Sequence, residues 1–209
     1  MKKNKVFAAI VSVGLCLLVL FLCIYMRQTH YEINEEIPDG LNSGKSLAEY
    51  ALNIVENNCG KEFETGSVYM ILDPQSKGEL EVTLVEKNKK KPMLAYVKFD
   101  TKSNKLLYFK YVGWDSKLHP GFIDIQNWKI DYAEALEISK EFHSKTEGFR
   151  YEDVIIKTCN SHPFEDEDWE DWSVVFRDFR NGKNYETRID PYTGEILDHG
   201  IWEWLEYYS

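Results

Sequence analysis

Cysteine is scarce in this chain: 4 among 209 residues, with Cys16 and Cys23 inside an apolar N-terminal run. The remaining two, Cys59 and Cys159, are too few for a disulfide framework. They read either as two free thiols or as one bridge between the halves of the chain. No Cys/His spacing of a zinc site is present, and the five histidines (His30, His119, His143, His162, His199) are scattered. A Gly-x-Ser-x-Gly elbow, a phosphate-binding loop ending in Gly-Lys-Ser and a dinucleotide fingerprint are all missing. Hydrolases and nucleotide-dependent enzymes therefore have no local signature here. The expectation is a non-enzymatic chain with no cofactor and no resident metal.

Acidic residues are absent before Glu32, and no charge of either sign falls between Val6 and Met26. That run of 21 residues would span roughly 31 Å as a helix, close to the hydrocarbon thickness of a bilayer. Val, Ile, Leu and Phe fill 13 of its positions, which favours insertion by about −4 to −8 kcal/mol. A cleaved signal peptide has a shorter apolar core and small residues before the cut. Here the exit reads Leu22-Cys23-Ile24-Tyr25-Met26-Arg27, and both run cysteines follow leucine, unlike a lipoprotein cysteine. The reading is an uncleaved single-pass anchor at the cell membrane. Lys2, Lys3 and Lys5 precede it, so the N-terminus is expected in the cytoplasm and the rest outside.

Without those three lysines, 22 of the 25 basic residues face all 35 acidic ones, a net charge of −13 beyond the anchor. Such a field repels nucleic acid and anionic lipid surfaces. It suits a cationic partner, or one with no charge preference.

Residues 1–5 read as a cytoplasmic stub, 6–26 as the transmembrane helix and 27–45 as a juxtamembrane linker. A first unit is expected over 46–113. It opens on Ser46-x-x-Glu49, a capping-box pattern. Leu47, Tyr50, Ala51, Ile54 and Val55 then recur at helical spacing. Strands follow at Ser67–Leu72, Glu79–Glu86, Pro92–Phe99 and Lys105–Val112, joined by turns short enough for antiparallel hairpins. After a linker at 114–130, residues 131–209 repeat the order. Asp131-x-x-Glu134 is a second capping box, and strands are expected near Tyr151–Thr158, Trp172–Phe179, Asn184–Ile189 and Glu195–Ile201.

The repeat is clearest at one corner. Phe99-Asp100-Thr101-Lys102-Ser103-Asn104-Lys105-Leu106 matches Ile189-Asp190-Pro191-Tyr192-Thr193-Gly194-Glu195-Ile196. The Asp side chain can accept from turn N–H groups, Pro191 presets φ, and Asn or Gly tolerates the left-handed conformation. Asp190, Pro191 and Gly194 are thus structural turn residues. The fold class is α+β: two tandem helix-plus-antiparallel-sheet units behind a membrane helix.

Asp131 to His199 resembles a PepSY-type domain. The likeness is carried by Ala133 to Ser139, by Tyr185 to Ile189, and above all by Asp190-Pro191-Tyr192-Thr193-Gly194-Glu195-Ile196-Leu197. Ser46 to Val112 is a weaker copy that lacks the Thr and Gly of the corner. One anchor with two such units is similar in layout to the TseB-like cell-wall regulators of Gram-positive bacteria. The resemblance implies a cystatin-like α+β fold and a non-catalytic bacterial protein on the cell exterior. It would bind another protein and modulate a peptidase or a cell-wall enzyme.

Two features depart from that pattern. The loop from Ser161 to Asp171 holds six carboxylates within seven residues, Glu165 to Asp171. It reads as a solvated loop, a docking surface for a basic partner through Glu165, Asp166, Glu167, Asp168 and Trp169, or a calcium site without the EF-hand glycine. Trp172 is expected to enter a core strand. In the tail, alternation places Trp202 and Trp204 on one strand face and Ile201, Glu203 and Leu205 on the other. That segment closes the sheet or offers an aromatic patch to a partner or a membrane interface. The runner-up for the whole chain is an immunity protein that neutralises a toxin at the outer membrane face.

Overall fold

The computed structural model describes residues 15–18, 20, 30–72, 78–88, 90, 92–112, 123–160 and 170–203. Most of Val6–Met26, the Cys159 side chain, Glu165 to Trp169 and Trp204 lie outside the described residues. Within the apolar run, Leu15, Leu17, Leu18 and Leu20 are helical and exposed. Among the described residues, no helix is long and apolar enough to cross a membrane.

Among the described residues from His30 onward, nine strands and two helices follow one another as β1 (His30–Glu36), α1 (Gly44–Cys59), β2 (Phe63–Leu72), β3 (Glu79–Glu86), β4 (Leu94–Asp100), β5 (Lys105–Val112), a single 3-10 turn (Ile125–Asn127), α2 (Tyr132–His143), β6 (Asp153–Asn160), β7 (Glu170–Asp178), β8 (Lys183–Ile189) and β9 (Ile196–Glu203). The strands form one antiparallel sheet in the order β1-β5-β4-β3-β2-β6-β7-β8-β9. The two halves expected from the repeat are therefore continuous rather than separate. The strands that follow the two helices, β2 and β6, meet at the centre, where Tyr69–Leu72 pairs antiparallel with Val154–Lys157. Thr158 tightens this seam, its Oγ1 accepting from the Val68 N–H at 2.9 Å.

Both helices cover the same face. A register row across the seam runs Met70, Ile156, Val174 and Thr187 on one side of the pleat. α2 reaches it through Ser139 at Thr187 (2.8 Å). α1 covers the same face in the first half, where the Tyr111 hydroxyl donates to the Val55 carbonyl (3.4 Å). Helical spacing decides what each helix buries: Leu47, Ala48, Ala51 and Val55 from α1, Ala135, Ser139 and His143 from α2. One apolar core results, running from Phe109 to Tyr185.

Three expectations are corrected. Residues 27–45 are not merely a linker, because they contain β1, which pairs antiparallel with β5 from His30↔Lys110 to Glu36↔Lys105. Tyr31 stacks on Phe109 with ring centroids 4.7 Å apart, and that contact holds the strand. Helix α1 also starts earlier than the Ser46-x-x-Glu49 pattern suggests. Ser43 is the N-cap and Ser46 closes the box, its hydroxyl accepting from the Ser43 N–H at 3.1 Å. A serine at this position reaches back as well as the usual Glu. Finally, 114–130 is not a bare linker, since Ile123 to Ile130 is built into the body through Ile123, Ile125 and Trp128, all buried.

The hairpin corner is as expected. Asp190 Oδ1 accepts from the N–H groups of Tyr192 (2.7 Å) and Thr193 (3.0 Å), and Gly194 has φ +79°. Asp100 Oδ1 does the same for Lys102 and Ser103, with Asn104 at φ +53°. A third corner of this kind lies at the expected Arg180–Lys183 turn, where Asp178 accepts from the Arg180 and Asn181 N–H groups and Gly182 follows at φ +64°. Cys59 is a free thiol at the end of α1.

Candidate functional site

Polar side chains concentrate where the two halves meet. Asp131 is the N-cap of α2, its Oδ1 accepting from the Tyr132 N–H at 2.6 Å. The same carboxylate accepts from the Gly44 N–H, 3.0 Å from each oxygen. Gly44 is the first residue of α1, so one acid caps both helices. Their N-termini each leave N–H groups unsatisfied and carry a partial positive charge. A side chain at Gly44 would crowd this contact, since a Cβ there would lie 3.0 Å from Asp131 Oδ1 and the carboxylate would have to give way.

Glu170 is the second node. It accepts from the Trp128 indole N–H (2.8 Å), the Tyr192 hydroxyl (2.9 Å) and the Asp124 N–H (3.0 Å). It thereby ties β7, the connecting segment and the Asp190 corner together. Burial and this hydrogen bond push the Tyr192 phenol up to about 12. Trp172 donates its indole N–H to the Ile130 carbonyl (2.8 Å) and meets Trp128 edge to face at 5.0 Å. A cleft of about 190 Å³ opens between Lys45 and Lys129 above these two rings. Lys45 Nζ already donates to the Gln126 carbonyl at 2.5 Å.

A hydroxyl–imidazole chain lies inside the second half. Ser139 Oγ donates to Thr187 Oγ1 (2.8 Å), which sits 2.7 Å from His143 Nε2. All three are buried, with His143 at 1 % exposure, so no substrate reaches the hydroxyl and the chain works as a core tether. Burial holds the imidazole below its ordinary value, the nearby His199 pushes the same way, and the hydrogen bond to the Glu186 carbonyl opposes both. His143 Nδ1 is buried with no hydrogen-bond partner. On the opposite face of the sheet, Asp171 is buried and bound by the Arg188 guanidinium, with Nε at 2.6 Å. Burial pushes its carboxyl up against the pull of Arg188.

The candidate residues fall as follows. Glu165, Asp166, Glu167, Asp168, Trp169 and Trp204 lie outside the described residues. The last two carboxylates of the acidic loop, Glu170 and Asp171, are engaged by the contacts above. Trp172 is core, as expected. Trp202 stands on the helix-free face, opposite Asn184, with its indole N–H 3.3 Å from Glu186 Oε2. Ile201 is opposite Tyr185 on the helix side, so the alternation in the tail is as expected up to Glu203. Asp190, Pro191 and Gly194 form the corner, and the Pro191 carbonyl also accepts from Lys129 and Ile130 (2.9 Å each). Among the described residues, no group of three His, Cys, Asp or Glu could hold a metal ion. Sequence reasoning missed Glu170 as a node and the second role of Asp131. Both depend on contacts more than 40 residues apart in the chain.

Residues 129–199 match the family described as peptidase propeptide and YPEB domain, PepSY. No curated protein matches the chain. A candidate lipoprotein from Clostridium difficile 630, known from its crystal structure, has a similar fold. It shares 14 % identity at a TM-score of 0.50 and covers 81 % of this chain and 99 % of that one. That likeness extends over both halves and speaks for the fold alone. The dehydratase domain from the CurK module of curacin polyketide synthase aligns at 10 % identity over 86 % of this chain and 85 % of that one, but its TM-score of 0.19 carries no argument. The second half of the chain, with its capping box, its Asp190 corner and its strands β6 to β9, is a PepSY-like domain.

Proposed function

We propose that this chain is a membrane-anchored, extracytoplasmic binding protein that regulates another protein, with a peptidase or cell-wall enzyme as the partner class, and that it performs no catalysis itself. The PepSY-like match over residues 129–199 carries this reading. The apolar run supports the anchor, because the described leucines within it are helical and 58 % to 63 % exposed. Fixing the body to a membrane raises its effective concentration near other membrane-bound proteins. The buried Ser139–Thr187–His143 chain supports the non-catalytic part, since its hydroxyls serve packing.

Cross-linking of the tagged full-length protein in its native membrane, followed by identification of what is captured, tests the reading. A captured peptidase or cell-wall enzyme whose activity changes with the purified protein is the expected result. A captured toxin would replace it with the immunity reading. No captured protein, or recovery of the chain entirely in the soluble fraction, would overturn it.

A further inference from the structure

The two halves of the sheet are related residue by residue, and the relation leaves one position unfilled. β9 is the counterpart of β5 at an offset of 90. Phe99↔Leu106, Val97↔Phe109 and Ala95↔Tyr111 in the first half match Ile189↔Ile196, Thr187↔His199 and Tyr185↔Ile201 in the second. The outer edge of β5 is covered by β1, with Tyr31 opposite Phe109 and Glu36 opposite Lys105. Among the described residues, the equivalent edge of β9 has no strand beside it.

That edge carries no Lys or Pro, two residues by which isolated edges avoid pairing; it does carry the carboxylates of Asp198 and Glu203, and its bulge lies at its start, where Leu197 has no counterpart on β8. β1 carries a bulge within its length, between Glu32 and Glu35, with Asn34 at φ +56°. From Asp198 to Glu203 the ladder is regular, and a Cβ added at Gly200 would meet nothing within 4 Å. Leu197 and Ile201 are 39 % and 51 % exposed. His199 and Ile201 stand where Phe109 and Tyr111 stand under Tyr31. The Phe142 ring lies 4.7 Å from His199 and extends this seat.

The charge along the edge is opposite in sign. β5 offers Lys105 and Lys110 to an acidic strand. β9 and its approach offer Glu195, Asp198 and Glu203 instead. Among the described residues, the edge strands a second copy of this chain would bring, β1 and β9, are both acidic, on a body of the same sign.

We propose that the free edge of β9 takes up an extended basic segment of a partner protein as a tenth strand, with an aromatic side chain seated over His199 and Ile201. The backbone ladder supplies affinity and the alternate side chains supply selectivity, as in strand addition generally. This deepens the reading above by assigning the partner-binding surface, and it rests on that reading.

The test uses the full chain in detergent micelles and three synthetic heptapeptides. One is Lys-Tyr-Lys-Ile-Thr-Lys-Lys, another the same peptide with every backbone nitrogen methylated, and the third carries the β1 sequence His-Tyr-Glu-Ile-Asn-Glu-Glu. The basic peptide should bind, and amides of residues 197–203 should gain hydrogen-exchange protection. The methylated and acidic peptides should bind at least ten-fold more weakly. Asp198→Lys with Glu203→Lys should reverse the preference between the basic and acidic peptides, and Ile201→Lys should weaken both. Equal binding of the methylated peptide, protection elsewhere, or no binding at millimolar peptide would overturn the proposal. A natural partner that still cross-links to the Ile201→Lys protein, through another surface, would overturn the edge assignment and leave the broader reading standing.

Discussion

Asp131 shows how much one carboxylate can do when two helix starts point at it. An N-cap substitution alone costs about 1 kcal/mol, and Asp131→Ala also strands the Gly44 N–H. We expect a loss of about 2 kcal/mol in chemical denaturation. Asp131→Asn should retain most of the first cap and lose part of the bidentate contact with Gly44. An alanine variant as stable as the parent would show that the second cap contributes nothing. His143 gives the clearest pH dependence. Its folded pKa is lowered, chiefly by burial, while the unfolded imidazole titrates near 6.5. Between those two values the unfolded chain binds more protons, so stability falls as the pH drops below about 6.5. The slope is bounded by one proton, about 1.4 kcal/mol per pH unit. A protonated ring would also leave Nδ1–H without an acceptor among Phe149, Phe176 and Tyr185. Denaturation curves between pH 5 and 7.5 should therefore flatten in His143→Phe. An unchanged slope in that variant would assign the effect to other groups.

At the scale of elements, local chemistry and tertiary pairing divide the work. β1 is held to the sheet by its ladder to β5, by Tyr31 over Phe109 and Tyr111, and by the Asn104 amide, which donates to the Ile37 carbonyl (3.0 Å). An aromatic pair contributes about 0.5–1.5 kcal/mol beyond its buried area. Tyr31→Ala should therefore loosen β1 selectively, raising hydrogen exchange at the β5 amides and leaving β7 and β8 unchanged. Faster exchange throughout the sheet would mean that β1 is part of the cooperative core instead. The sequence shows why this strand was hard to foresee. Asn34-Glu35-Glu36 is polar and weak in strand propensity, and what recruits it lies about 70 residues away on β5. By contrast β3 and β5 were legible to the residue, because alternation and turn chemistry are local. The Asp190 corner was equally legible, since its hydrogen bonds span two and three residues.

For the whole molecule, the repeat told the order of the helix and the four strands that the halves share, but neither the added β1 nor how the halves meet. Nothing in the pattern of β2 or β6 marks an edge that will pair with its counterpart, because a central and an edge strand alternate alike. The junction nodes stayed hidden for the same reason. Asp131 was visible as a local cap, but its bond to Gly44 exists only once the sheet is continuous. The seam predicts how the body unfolds. Thr158 Oγ1 is the acceptor for the buried Val68 N–H, and its hydroxyl faces the Val68 carbonyl at 3.4 Å. Thr158→Val keeps the shape and removes that acceptor, which costs about 1–3 kcal/mol for an unsatisfied buried donor. With one sheet, one core and a carboxylate shared by both helices, this loss should appear in a single transition. Hydrogen-exchange protection of α1 and α2 should fall together with denaturant, and the midpoint should shift while the slope stays constant. If instead α2 with β6 to β9 lost protection while α1 with β2 to β5 kept it, the seam would be a contact between two independently folded units.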